Sequence, residues 1–180
     1  MRAFTRSTSV ITTALAAVFF TVGAAPSSAQ TQPLVSAKAS SQTKAFAEDN
    51  AELVSAMATV CGSGYSLTAA DPMPLGVDPG MRLGTLFNYE NSGSTSACAI
   101  LDNNTGATRY MVLESCPSTG PEHSDFCDVD KGDFSQYAGP TYTSTQGING
   151  RCWSHFTYMK NRTTGVTVFN SGMTYGWICP

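Results

Sequence analysis

Six cysteines, Cys61, Cys98, Cys116, Cys127, Cys152 and Cys179, all follow a leader that reads as an export signal, and that combination constrains this chain more than anything else in it. In the leader, Arg2 and Arg6 supply a positive n-region, Val10 to Val22 an uncharged and mostly apolar h-region, and Ser27-Ser28-Ala29 a small-residue cleavage site ahead of Gln30. The apolar stretch is too short, and too interrupted by Thr, Gly23 and Pro26, to cross a hydrocarbon layer of about 30 Å. No later segment is apolar enough to do so. An even cysteine count outside the cell is expected to form three disulfides. Zinc is the competing use, but there is no Cys-x-x-Cys, and His123 and His155 are the two histidines available to complete a tetrahedral set.

Cys116 and Cys127 bracket a loop of Pro, Ser, Thr, Gly and acidic residues with little apolar content to pin it down, so they are expected to pair with each other. Closing a loop of that size is worth about 3 kcal/mol in the chain-entropy account. The other four cysteines permit three pairings, of which Cys61 with Cys98 and Cys152 with Cys179 is favoured. A flat three-strand meander would place Cys152 and Cys179 roughly 20 Å apart, at about 3.3 Å per residue, which no disulfide reaches. Either the final strand is irregular or that last pairing differs.

Residues 1–29 are thus a signal peptide and residues 30–48, rich in Ser, Ala, Thr and Gln, a flexible lead-in to one domain over 49–180. Asp49-x-x-Glu52 has the form of a capping box, with Leu53, Val54, Met57 and Val60 on one helical face and Gly62 as the stop, which predicts one short helix. From Tyr65 onward helical periodicity gives way to short alternating runs between Gly, Asn, Ser and Pro clusters. Strands are expected at Leu83–Tyr89, Ala97–Leu101, Thr108–Glu114, Pro140–Thr145, Cys152–Met159, Val166–Phe169 and Thr174–Cys179. Asp71 to Gly80 reads as a surface loop, and Asp102–Gly106, Lys160–Gly165 and Asn170–Gly172 as hairpin turns. Around Asp130 to Asp133 the chain has turn chemistry, Phe134 and Tyr137 are placed to cover a core edge, and Gly139-Pro140 is expected to redirect the chain. The fold class is all-β: a small disulfide-bonded antiparallel sandwich or partly closed barrel preceded by one short α-helix.

Charge excludes some function classes. The net charge is −3, and the leader takes two of the ten Lys and Arg with it and none of the thirteen Asp and Glu. With no basic cluster, the chain lacks the electrostatic footprint of nucleic-acid binding and a handle for anionic membrane lipid. Paired cysteines offer no thiolate nucleophile. Neither histidine stands in a Gly-x-Ser-x-Gly turn: His123 lies in the Cys116–Cys127 loop and His155 mid-strand on the face of Trp153 and Thr157. No catalytic residue is assigned. Acid pairs for glycoside hydrolysis would have to come from Glu90, Asp102, Glu114, Glu122, Asp125, Asp128, Asp130 and Asp133, most of which read as solvated turn acids. Asp128, Asp130 and Asp133 are candidate calcium ligands, although Gly132 and Asp133 reverse the EF-hand order. Calcium is the one cofactor these residues suggest. Aromatics near turns suit stacking on sugar rings, with Tyr137 and Trp177 the candidate ligand-binding residues. Asn103-Asn-Thr105 and Asn161-Arg-Thr163 match the N-glycosylation pattern.

The blocks Val60-Cys-Gly-Ser-Gly-Tyr65, Tyr89 and Asn91 ahead of Cys98, Asp130-x-Gly132-x-Phe134-x-x-Tyr137-Ala-Gly-Pro140, Gly150-x-Cys152, and Trp177 near Cys179 occur in one order around four cysteines. In these the chain from Cys61 to Pro180 resembles the spore-associated protein A family, small secreted proteins of filamentous actinomycetes. The resemblance implies a secreted or spore-surface protein with two shared disulfides, and it brings no activity or functional residue with it. Cys116, Cys127, the acidic loop between them and the long loop around Pro72 to Pro79 depart from the family pattern. The expected function is that of a monomeric, non-enzymatic extracellular protein associated with a spore or cell surface or its polymers. The alternatives are a secreted polysaccharide or cell-wall hydrolase and a secreted effector or inhibitor of an extracellular protein partner.

Overall fold

Strands β2 (Gly84–Asn91) and β3 (Ser96–Asp102) are buried along nearly their whole length, and the architecture follows from what covers their two faces. Side chains alternate across a strand, so Phe87, Tyr89, Cys98 and Ile100 project to one side and Leu86, Ala99 and Leu101 to the other. The computed structural model describes residues 34–117, 127–144 and 153–175, the last three by their backbone alone.

β2 and β3 are the central strands of a four-stranded antiparallel sheet, ordered β1 (Tyr65–Met73), β2, β3, β6 (Tyr137–Ser144). A second antiparallel sheet runs β5 (Asp128–Phe134), β4 (Arg109–Pro117), β7 (Trp153–Asn161), β8 (Thr167–Tyr175). Between the sheets, Met73, Leu86, Ala99, Leu101 and Ala138 of the first meet Met111, Leu113, Met159 and Phe169 of the second. A large apolar side chain contributes about 1.5–3 kcal/mol when fully buried in this way. Two four-stranded antiparallel sheets sharing one apolar core match the expected all-β class, and neither sheet closes on itself.

The outer face of the first sheet is closed by two helices, α1 (Ser41–Asp49) and α2 (Ala51–Cys61), where the sequence pattern predicts one. Ser40 caps α1 by accepting from the Thr43 amide at 3.0 Å, and Phe46 meets Phe87 edge to face at 5.9 Å. Asp49 is the last residue of α1 rather than a cap. Asn50 breaks the helix at φ −129, ψ 39, and its side-chain amide donates to the Phe46 carbonyl at 2.9 Å. Part of the stretch read as a flexible lead-in is therefore docked helix. Its polar composition hid this, since Phe46, Ala47 and Thr43 alone carry its burial. Residues 34–36 also lie along β1, with Leu67 exchanging backbone hydrogen bonds with Leu34 and Ser36 at 2.9 and 2.8 Å.

Five further expectations change. β1 runs on through Asp71 and Pro72 to Met73, because an edge strand tolerates the amide that proline lacks. The acidic stretch Asp128–Phe134 is an edge strand and not a turn, with the Asp128 and Asp130 carboxylates answering backbone amides of β6. Gly139-Pro140 lies inside β6, again an edge strand, and the change of direction falls earlier, at Ser135-Gln136, where the chain passes from one sheet to the other. Asn170–Gly172 is an irregularity within one strand, β8, with Gly172 at φ +60. The Asp102–Gly106 turn likewise joins strands of different sheets, so it is a crossover, whereas Lys160–Gly165 is the hairpin its sequence predicts.

Candidate functional site

Asp71 sits near the end of β1, paired with Leu86 of β2, beside the first turns of α1 and the loop that returns to β2. Together these segments enclose a cleft of about 390 Å³. Phe46, Leu75, Val77 and Pro79 make most of its wall apolar, and Thr43 and Gln42 add polar atoms at one side. The volume lies within the range of small-molecule sites. The Ser40 and Thr43 hydroxyls are engaged with each other at 3.0 Å as part of the helix cap. Asp71 is the one charged residue on the lining, and its carboxyl has no hydrogen bond or ion pair among the described residues. Burial without a compensating partner pushes that carboxyl up from 3.8 to about 6. When ionised it can hold a cation or accept hydrogen bonds, and when neutral it can donate one. No second carboxylate lines the cleft, so the acid pair of a glycoside hydrolase is not assembled there.

The raised value has a consequence for stability. The folded state holds this proton more tightly than the unfolded chain does, so the stabilisation is complete below pH 3.8 and is lost as pH rises through about 6. At pH 7.5 the charged Asp71 therefore weakens the fold. Asp71→Asn is expected to raise stability there by about 1–2 kcal/mol, less than the full shift because the side chain is partly exposed. Urea unfolding at pH 7.5 and pH 3.5 checks this, and the gain should vanish at the lower pH. Such a cost is what a binding group imposes on a scaffold.

A second polar cluster joins the two sheets from within. On sheet-facing sides, Ser115 of β4 contacts His155 Nδ1 of β7 at 2.8 Å and Thr141 of β6 at 2.6 Å, and all three are fully buried. The arrangement pairs a serine with a histidine, but a buried hydroxyl between two sheets offers no approach to a substrate. Burial lowers the His155 pKa from 6.5 to about 4. Here the sign is opposite to that of Asp71: the stabilisation from a neutral His155 is present above pH 6.5 and lost as pH falls through about 4.

The sequence-predicted residues are dispersed. Tyr137 is half-buried against the helix-side core, and Trp177 lies outside the described residues. Asp128 and Asp130 accept from the Tyr142 and Gly139 amides, both at 2.7 Å, while Asp133 pairs with Arg162 at 3.1 Å. Successive strand positions point to opposite faces, which separates Asp133 from the other two. Glu90 is buried on β2, where desolvation raises its pKa and a hydrogen bond from Ser94 at 3.1 Å opposes that. Asp102 is buried at the far end of β3, its pKa also raised by desolvation, against the pull of Arg82. Glu122, Asp125 and His123 lie outside the described residues. Asn103 is buried and its amide nitrogen donates to the Ala107 and Phe134 carbonyls, which commits it to the loop rather than to modification.

Cys61 is joined to Cys98 and Cys116 to Cys127, with Cα separations of 5.9 and 4.3 Å. Cys152 and Cys179 lie outside the described residues. Oxygen and sulfur atoms of Glu114, Cys116 and Cys127 gather within 4.8 Å, but paired sulfurs carry no thiolate for a metal. For the same reason the 3.3 Å approach of Cys116 Sγ to Glu114 Oε1 is a contact and not a hydrogen bond given by sulfur. Sequence reasoning missed Asp71 because it stands before two prolines in a Pro- and Gly-rich run, where an acid ordinarily meets solvent.

No protein-family model matches the chain, and no solved structure matches it. Among curated proteins it is similar to spore-associated protein A of Streptomyces coelicolor, with 34% identity over 91 residues. That match covers 49% of this chain and 51% of the relative, so the chain spans about half the length of the curated protein it matches.

Proposed function

We propose that the protein acts at a spore or cell surface as a secreted, non-enzymatic module that binds an envelope polymer. The observation that carries this reading is the 34% identity to spore-associated protein A over 91 residues. The fold adds support in two places. Its disulfides suit an oxidising exterior. Tyr142 is 40% exposed, yet it is held by Tyr65 edge to face at 6.2 Å and by a hydrogen bond from its hydroxyl to the Cys61 carbonyl at 3.2 Å. A pre-oriented aromatic face of this kind can stack on a sugar ring with little loss of side-chain entropy.

The test is sedimentation of the purified secreted chain with washed spore walls, peptidoglycan and chitin, with protein assayed in the pellet and sugar fragments in the supernatant by mass spectrometry. Retention on spore walls without released fragments is expected, and Tyr142→Ala should weaken retention by roughly fivefold, equivalent to about 1 kcal/mol. Released fragments would identify a hydrolase instead. Failure to sediment with any of the three would remove the surface-binding reading.

A further inference from the structure

We propose that the cleft beside Asp71 is a binding site for a small organic ammonium ion with an apolar stem, the cationic head on the Asp71 carboxylate and the stem against Phe46, Leu75 and Val77. Three observations lead there. The cleft is concave and about 390 Å³, enough for a stem of several carbons. Its wall is apolar apart from the helix-cap side, which rewards a ligand for burying hydrocarbon. Asp71 is a carboxylate without a partner among the described residues, and a half-buried acid of that kind gains from a ligand that brings the opposite charge.

The charges around the cleft leave that role open. Arg82 is the cation of the returning loop, but its guanidinium lies 4.9 Å from the centre of the Phe46 ring and donates to the Pro79 carbonyl and to Asn50 Oδ1. Its field acts on Asp102 and not on Asp71. On the N-terminal segment and α1, Lys44 donates to the Ala37 carbonyl at 3.0 Å, Lys38 bears on Glu90, and Glu48 and Asp49, in the last turn, do not line the cleft. Asp78 accepts from the Gly80 amide at 2.8 Å and does not line the cleft. The strand beside β1 presents Leu86 and Thr85 opposite Asp71 and Pro72, with no charge.

An acid that titrates near pH 6 makes the proposal directly testable. Binding of hexylammonium, hexanol and hexanoate to the ¹⁵N-labelled secreted chain is followed by amide shifts at pH 7.5 and pH 5. At pH 7.5 hexylammonium should bind roughly tenfold or more tightly than hexanol, and hexanoate should bind least, with shifts centred on Thr43, Phe46, Asp71 and Val77. At pH 5 the advantage of hexylammonium should shrink by about tenfold, since most Asp71 carboxyls are then neutral. Asp71→Asn should abolish the advantage at both pH values. Because that variant is expected to be more stable than the parent at pH 7.5, its loss of binding cannot be ascribed to unfolding. Nα-acetyl-lysine amide carries the same head on a peptide unit, and its affinity relative to hexylammonium distinguishes a free amine from a lysine side chain as the source. Equal affinities for hexylammonium and hexanol at pH 7.5, an unchanged advantage in Asp71→Asn, or shifts centred elsewhere would overturn the assignment. None of these readouts depends on whether the protein sediments with spore walls.

Discussion

Replacing Cys61 and Cys98 together by alanine is expected to cost about 4 kcal/mol, the largest effect of any change considered. The bond closes a span of 37 residues, against 11 for Cys116–Cys127, and loop-closure entropy grows with the logarithm of that span. On the same account the shorter loop is worth about 3 kcal/mol. Position adds to the difference. Cys61 is the last residue of α2 and Cys98 a buried residue of β3, so the bond fastens the helical layer to the centre of the first sheet. Its neighbours serve the same junction: the Tyr89 hydroxyl donates to the Val54 carbonyl at 2.9 Å, and Val54 and Met57 bury their side chains in the same core. Alanine avoids placing two serine hydroxyls in that apolar layer, so the effect read is that of the bond. Thermal unfolding of the two double variants measures it. For a domain of this size the Cys61/Cys98 variant should melt roughly 10–15 °C lower, and by more than the Cys116/Cys127 variant. Equal losses would contradict a dominant role for the helix-to-sheet tie.

Gly139→Ala is expected to destabilise by about 3 kcal/mol, well beyond what a glycine substitution ordinarily costs. Gly139 is at φ +106, outside the conformations that side chains accept readily. A Cβ there would stand 2.8 Å from the Ala99 carbonyl oxygen and 3.3 Å from the Ile100 Cα, both backbone atoms of the neighbouring strand β3. Backbone in the middle of a sheet cannot yield as a flexible side chain would. The Gly139 amide also donates to Asp130 Oδ2 at 2.7 Å, which links β6 to β5 of the other sheet, so any shift of this residue strains the seam between the sheets. Gly165 supplies the comparison. It has φ +70 in the β7–β8 hairpin, and a Cβ there would meet nothing within 4 Å, so Gly165→Ala should show the conformational cost alone, about 1 kcal/mol. Urea midpoints of the two variants separate the two contributions. A Gly139→Ala loss no larger than that of Gly165→Ala would mean that the close approach of β3 and β6 relaxes freely.

Much of this was legible in the chain. The β grammar located β2, β3, β4 and β7, because their apolar residues recur in short runs bounded by turn residues, and Gly62 does end a helix, at φ +97. The pairing of Cys116 with Cys127 follows from a short polar loop that has nothing else to hold it, and this needs no knowledge of the fold. What escaped were elements whose signal is not carried by their own residues. α1 buries few side chains, and β5 is mostly polar because an edge strand can meet its needs through Asp128 and Asp130 bonded to β6.

The all-β class could be read from the chain alone, since it depends on local periodicity, on short alternating runs between turn residues. Tertiary structure alone decided which turn is a hairpin and which a crossover. Asp102–Gly106 and Lys160–Gly165 carry similar turn residues, and the difference lies in which sheet the next strand can reach. It alone decided the fate of each acid as well. Asp128, Asp130 and Asp133 find backbone amides or an arginine, whereas Asp71 is left in an apolar cleft by segments more than twenty residues apart in the chain. A carboxyl group is the same wherever it stands in a sequence. Its chemistry depends on the desolvation and the partners that distant residues impose on it.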